Sequence, residues 1–472
     1  NYTYDDFDRL DTASDSFGQV LDYDYDANGN RTGLTAAQQS ISYHYDALNR
    51  VEKVILPLGE TDYDYYRNGL IERIDYANGL HASYLYDQAN RVTDIDHKDQ
   101  DTRLTHYHYT YDANGNRDSM LETNGGQQQS TTYHYDRADR LWRVEYPDLI
   151  SEYTFDANHN RDTEIRIRPL DNAVLAQKDY QYNSRNQLTD ILDAIDSSTN
   201  VHYDFDANGN QTAKTTAGVT TAFHYDARDQ LRKITTGGST IGQFLYDHQG
   251  LRVEKRTESD TTRYVYDDQS VLLTLDENNS LQSRYHYGPN QLLALSEPGS
   301  PTQFYHLDGL GSVATLTTAT GMVQARYQYD AWGNIREETG TSGNVFGFTG
   351  HEMDTETGLI YMKARFYDPD TGRFLNQDPW EGQADLPPSL HKYLYGYGNP
   401  TVWWDPSGLV SETFVQEQMD AAKAAGYSPT AKDIRAFKAG FDYQQLLGRN
   451  NRPSPEVASN DEWKSELERT IR

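Results

Sequence analysis

Every 20 to 27 residues the chain returns to one phrase, a Tyr-x-Tyr-Asp segment running into a polar turn. It reads Tyr-Asp-Tyr-Asp-Ala-Asn-Gly-Asn-Arg at 23–31, Tyr-His-Tyr-Asp-Ala-Leu-Asn-Arg at 43–50 and Tyr-Thr-Tyr-Asp-Ala-Asn-Gly-Asn-Arg at 109–117. Further copies stand at 133–136, 203–210, 223–226 and 327–330. Self-similarity at this period signals stacked supersecondary units, none of which can bury its own apolar face without its neighbours. Alternation such as Tyr84-Leu85-Tyr86-Asp87 has the period of two expected of a strand. Asn28-Gly29, Asn114-Gly115 and Asn208-Gly209 offer the positive φ that hairpin turns need. Each unit therefore reads as a β-hairpin. About fifteen in tandem make one antiparallel ribbon, which must coil because strands twist and open edges are costly.

Composition agrees with a thin, extended wall. Apolar residues amount to 36%, and 38 residues are Tyr, whose ring packs while its hydroxyl reaches water or a partner. The formal charge is −30 and the sequence pI about 4.7. Residues 410–472 hold nine Lys/Arg and ten Asp/Glu, so nearly all of the acidic excess lies in 1–409. Such a surface repels nucleic acid and anionic membrane, which argues against nucleic-acid binding by the repeats. No Cys is present, so disulfides and thiolate metal sites are excluded. No stretch approaches the ~20 apolar residues of a spanning helix. The first residues, Asn1-Tyr2-Thr3-Tyr4-Asp5, fall in mid-repeat, and the reading is of an array that extends upstream.

The phrase blurs after about residue 285, and a different block occupies 331–409. It contains Arg365-Phe366-Tyr367-Asp368-Pro369, Gly372-Arg373-Phe374, Asp378-Pro379-Trp380, Asn399-Pro400 and Asp405-Pro406-Ser407-Gly408-Leu409. Composition then shifts: 412–425 and 430–447 are rich in Ala, Gln, Glu and Lys, and a third helical pattern runs over 461–471. The expected organisation is a β-array over 1–330, a closing block over 331–409 and a short helical region over 410–472.

These phrases resemble the Rhs/YD-repeat family: bacterial Rhs proteins, the C components of Tc toxins, and the teneurins. The ordered block over 331–409 is similar to the Rhs-associated core. The resemblance implies an all-β fold, tandem hairpins coiled into a hollow shell, with a short helical tail. It also implies that the shell encloses the chain's own C-terminal polypeptide as a toxin payload, in a protein secreted or delivered at the bacterial surface. A secretion-system or shell-closing protein is the other partner implied.

The core block of that family acts as an intramolecular aspartyl protease cutting after Asp-Pro-x-Gly-Leu. Carried onto this sequence, the scissile bond is Leu409–Val410, where the composition shift stands on independent grounds. Asp378 and Asp405 are the candidate catalytic pair, with Arg373 as their orienting or charge-balancing partner and Asp368 as the alternative for the first carboxylate. Two close carboxylates share a proton, so that one activates water while the other protonates the amine product. No cofactor or metal is expected. The bland reading of each Asp-Pro is a turn cap, and that of the His residues in the repeats, such as His44 and His134, is a place in the wall. The acidic turns at 26–30 and 112–116 faintly resemble calcium loops but lack the closing bidentate Glu. A surface adhesin using the Tyr stripes on glycans is the alternative function, and a scaffold without activity the third.

Overall fold

The computed structural model describes residues 1–289, 291–382 and 386–409. The helical patterns at 412–425, 430–447 and 461–471, and Val410 itself, lie outside the described residues. Among the described residues 32 strands form one antiparallel sheet. Each strand pairs with the next in sequence, from Tyr2–Tyr4 with Leu10–Ser14 through to Val323–Tyr329 with Ile335–Gly340. None of the described helices is long and apolar enough to cross a membrane.

Each residue of the repeated phrase has its own task. The first Tyr points into the wall's buried face; Tyr23, Tyr43, Tyr63, Tyr109 and Tyr203 are all buried. The second Tyr sends its hydroxyl to a main-chain carbonyl of the preceding hairpin: Tyr45 to Arg31 at 2.8 Å, Tyr65 to Val51 at 2.7 Å, Tyr182 to Arg161 at 2.8 Å. The Asp folds the turn. Asp26 Oδ1 accepts the N–H of Asn28 and of Asn30, both at 2.9 Å, and Asp46 treats Leu48 and Arg50 in the same way. The turn is longer than a two-residue hairpin loop. It closes from Asp26 N–H to the Asn30 carbonyl at 2.9 Å, its fourth residue is left-handed (Gly29, φ 86°), and a register shift follows in the ladder. That is the bulged hairpin in which a glycine at the left-handed position is favoured.

The fifth residue then decides how neighbouring turns join. Arg50 pairs with Asp46 Oδ2 and lies over the Tyr65 ring at 4.5 Å, a charge-assisted and cation–π contact together. Where the fifth residue is Asn, as in Asn30, its amide reaches both Asp26 Oδ2 and Asn49 Oδ1 of the next turn, at 2.9 and 2.8 Å. Tyr45→Phe keeps the ring and removes only the tether to the Arg31 carbonyl. It is expected to lower stability by about 1 kcal/mol, read as a lower urea midpoint with an unchanged slope.

Strand twist coils the ribbon until its later part lies on its earlier part. Arg31 pairs with Asp267 at 2.6 Å, Arg284 donates to the Ala37 carbonyl at 3.3 Å and Asn78 to Thr317 Oγ1 at 3.1 Å. Between the coils Leu21, Ile41 and Ile74 pack with Leu272, Leu293 and Phe304. A cavity of about 690 Å³ remains on the inside, lined by Arg31, Tyr43, Tyr266 and Gln269, and by Trp404 and Pro406 from the closing block.

The closing block makes a second sheet of four short strands, Glu352–Asp354, Leu359–Met362, Arg365–Asp368 and Arg373–Phe374. It runs back across the array, fastening turn after turn. Asp354 takes the buried Arg252 guanidinium at 2.6 Å, Lys214 reaches Asp368 at 3.4 Å, and Tyr393 donates to the Gly209 carbonyl at 2.8 Å. Asn399 donates to Asn116 Oδ1 at 2.8 Å, and Thr401 meets the Tyr135 hydroxyl at 2.6 Å. The block is thus a clasp laid over the turns from 252 back to 116.

Candidate active site

The clasp ends on a turn built like those of the repeats. Asp405 Oδ1 accepts the N–H of Ser407 at 3.3 Å and of Leu409 at 3.0 Å, and Gly408, fourth in the turn, is left-handed at φ 75°. Asp-Pro-Ser-Gly-Leu at 405–409 therefore shares the Asp cap and the left-handed fourth residue of Asp-Ala-Asn-Gly-Asn at 26–30. Glycine is required here for space as well: a Cβ on Gly408 would stand 2.1 Å from the Met362 carbonyl oxygen. Asp378 sits in a related corner. Asp378 Oδ1 accepts the N–H of Trp380, two residues on, at 2.9 Å, as Asp26 accepts that of Asn28, while its own N–H is held by the Lys392 carbonyl at 2.9 Å.

These two corners aim their remaining oxygens at one nitrogen. Arg365 Nη2 lies 2.9 Å from Asp378 Oδ2 and 3.4 Å from Asp405 Oδ2. The guanidinium is itself fixed on every side. Its Nε donates to the Gly408 carbonyl, its Nη1 to the Lys392 carbonyl at 3.2 Å, and the Phe374 ring lies 3.6 Å below. The strand Arg365–Asp368 places Arg365 beside the chain end of the clasp.

Burial sets the electrostatics. It lifts the Asp378 carboxyl to about 6, with Arg365 and the Trp380 N–H pulling the other way and Asp405 adding to the rise. Burial also raises Asp405, opposed by Arg365 and by the N–H groups of the 405–409 turn. Two acids lifted from the ordinary carboxylate range and bridged by one cation can hold a single proton between them near mildly acidic pH. This is what acid–base hydrolysis of an amide requires.

The structure brings Asp378, Asp405 and Leu409 together; Val410 is outside the described residues. Arg373 is elsewhere, and the expectation that it accompanies the pair is corrected. Its guanidinium lies between the rings of Tyr182 and Tyr393 and donates to Asn160 Oδ1 at 3.0 Å and to the Asn186 carbonyl at 2.5 Å. It is a fastening of the clasp to the array. The physical reason is register: Arg373 faces Asp368 across the ladder, at the opposite end of the small sheet from Met362 and Arg365. Asp368 stands with Lys214 and the Asp370 N–H, away from the Arg365 bridge. Sequence reasoning missed Arg365, which opens the phrase Arg-Phe-Tyr-Asp-Pro. Among the described residues no group of three or more His, Asp or Glu side chains converges in a metal-binding arrangement.

A family model described as Teneurin YD-shell matches residues 86–401, and one described as RHS Repeat matches residues 25–61. The tRNA3(Ser)-specific nuclease WapA of Bacillus spizizenii is 31% identical over 424 residues, which is 86% of this chain and 15% of the relative. The double-stranded DNA deaminase toxin A of Burkholderia cenocepacia is 25% identical over 453 residues, 83% of this chain and 30% of the relative. The fold is similar to the Tc holotoxin pore of Photorhabdus luminescens, with a TM-score of 0.69 and 19% identity over 87% of this chain and 22% of that one. The chain spans about a seventh of the nuclease and under a third of the deaminase toxin.

Proposed function

The chain belongs to the teneurin YD-shell family, and from that premise we propose that it is the closing end of a toxin-encapsulating shell that cuts itself once, after Leu409. The observation that carries this reading is the single guanidinium nitrogen facing both Asp378 Oδ2 and Asp405 Oδ2, one turn from the bond to be broken. In the cleavage step the ionised carboxylate takes a proton from water as its oxygen adds to the Leu409 carbonyl carbon. The protonated partner gives its proton to the Val410 nitrogen as the C–N bond breaks. The products are a new carboxylate on Leu409 and a new amine on Val410. In this reading the array runs to 330, the core occupies 331–409 and the payload region starts at 410.

Glycan recognition by the Tyr stripes is the weaker reading, because the second Tyr of repeat after repeat already gives its hydroxyl to a carbonyl of the wall, as Tyr45, Tyr65 and Tyr182 do. Intact mass of the purified, incubated protein tests the proposal. Two polypeptides, 1–409 and 410–472, are expected, and a chain that stays whole for days would refute it.

The pH dependence has a definite sign. With the Asp378 carboxyl at about 6, the singly protonated pair is depleted as pH rises beyond that value. The cleavage rate constant is expected to fall by about tenfold per unit on the alkaline side, which quenched time courses between pH 5 and 9 would reveal. A flat profile over that range would exclude a proton shared by the pair.

A further inference from the structure

The two-residue turn between the strands Leu359–Met362 and Arg365–Asp368 holds Lys363 and Ala364. Lys363 adopts φ 60°, the left-handed region where Gly or Asn is ordinarily found and where a lysine is strained. Its side chain offers a reason for the residue to be there. Lys363 Nζ donates to the Pro406 carbonyl at 2.5 Å. The next residue, Ala364, donates its N–H to the Ser407 carbonyl at 3.1 Å. The next again, Arg365, donates through Nε to the Gly408 carbonyl. Three successive residues of the turn thus hold three successive carbonyls of the segment that ends at Leu409. His351 Nε2 adds a weaker contact to the Pro406 carbonyl at 3.4 Å, its Nδ1 being engaged by Thr349 Oγ1 at 2.9 Å.

We infer that the 363–365 turn is a main-chain template for the amino-terminal side of the scissile bond, with Lys363 as a positioning residue that sets which peptide bond meets the carboxylate pair. The inference rests on the self-cleavage proposed above and goes beyond it by assigning a role to a side chain that grips the backbone of the segment to be cut. The template reads carbonyls rather than side chains. Its one demand on sequence is glycine at 408, where the Met362 carbonyl leaves no room for a Cβ. It also explains why Leu409 stays in place: with Pro406, Ser407 and Gly408 all held, the residue after them has little freedom left. A charged donor that fixes a reacting segment by one hydrogen bond is worth roughly ten- to a hundredfold in rate.

The left-handed backbone makes a discriminating test available. K363G suits the turn better than lysine does but removes the ammonium; K363R keeps a cationic donor. K363G is expected to melt no lower than the wild type and to cut itself about ten- to a hundredfold more slowly, while K363R stays within a few-fold of the wild type. Rates come from intact mass against time after synthesis, and melting from scanning calorimetry in an Asp405→Asn background that cannot cut. A K363G chain that cuts as fast as the wild type overturns the inference and leaves the carboxylate pair standing. K363G that melts lower as it slows also overturns it, since the lysine would then serve the fold. Wild-type chain that never cuts removes the cleavage reading, and the template role with it.

Discussion

Asp405→Asn is expected to leave the chain whole, and Asp378→Asn to do the same. The replacement conserves shape. At position 405 the new side-chain amide oxygen can still accept the Ser407 and Leu409 N–H groups, the contacts Asp405 Oδ1 makes at 3.3 and 3.0 Å, so the 405–409 turn survives. What disappears is the ability to take or give a proton. General acid–base catalysis by one positioned group contributes about 10²–10⁴-fold, and self-cleavage over hours should fall below detection over days. Intact mass gives the answer directly. In either variant Arg365 keeps the other carboxylate and the Gly408 and Lys392 carbonyls as partners, so the loss of stability should be smaller than that of removing Arg365 itself. If either variant cut at the wild-type rate, the pair would not be the machinery.

Arg365→Met should have the second large effect, this time on the fold as well. Arg365 is the cation shared by two buried carboxylates and the donor to two carbonyls, those of Gly408 and Lys392. Removing one partner of a buried ionic group costs about 3–5 kcal/mol, because the charges left behind have no compensation. The loss should depend on pH in a known direction. In the wild type the Asp378 carboxyl is raised above its unfolded value, so its contribution to stability is fully present below about 4 and is lost as pH rises to about 6. Without Arg365 both acids are driven further upward and their protonated forms are preferred to higher pH. The variant should therefore be most destabilised at neutral pH and nearest the wild type around pH 4. Urea titrations at the two values would measure the difference, and an equal loss at both would contradict the ionic role.

The architecture was legible because every residue of the repeated phrase acts locally. Alternating Tyr positions, the Asp that folds the turn and the glycine with positive φ are all set within a few residues. The closing block was legible only through its resemblance to the Rhs-associated core, and the structure puts the Asp378 and Asp405 it pointed to on one guanidinium. Which guanidinium was not legible. Ala-Arg-Phe at 364–366 and Gly-Arg-Phe at 372–374 are nearly the same words, and only the ladder register separates Arg365, next to Gly408, from Arg373, next to Asn160. One signal was present and unused: Asp-Pro-Ser-Gly-Leu has Asp first and Gly fourth, as the repeat turns do, which identifies 405–409 as one more turn of that kind. The coil's circumference was hidden for a different reason. That Arg31 meets Asp267 and Asn78 meets Thr317 depends on twist summed over some twenty strands, which no local pattern encodes.

Every fastening of the clasp named above lies upstream of Leu409: Arg252 with Asp354, Arg373 with Asn160, Asn399 with Asn116, Thr401 with Tyr135. The cut proposed after Leu409 would therefore leave each of these seams in place while freeing the residues beyond it from their covalent tie. On that proposal, detachment of the downstream chain and opening of the clasp would be separate events, the first requiring none of these contacts to break.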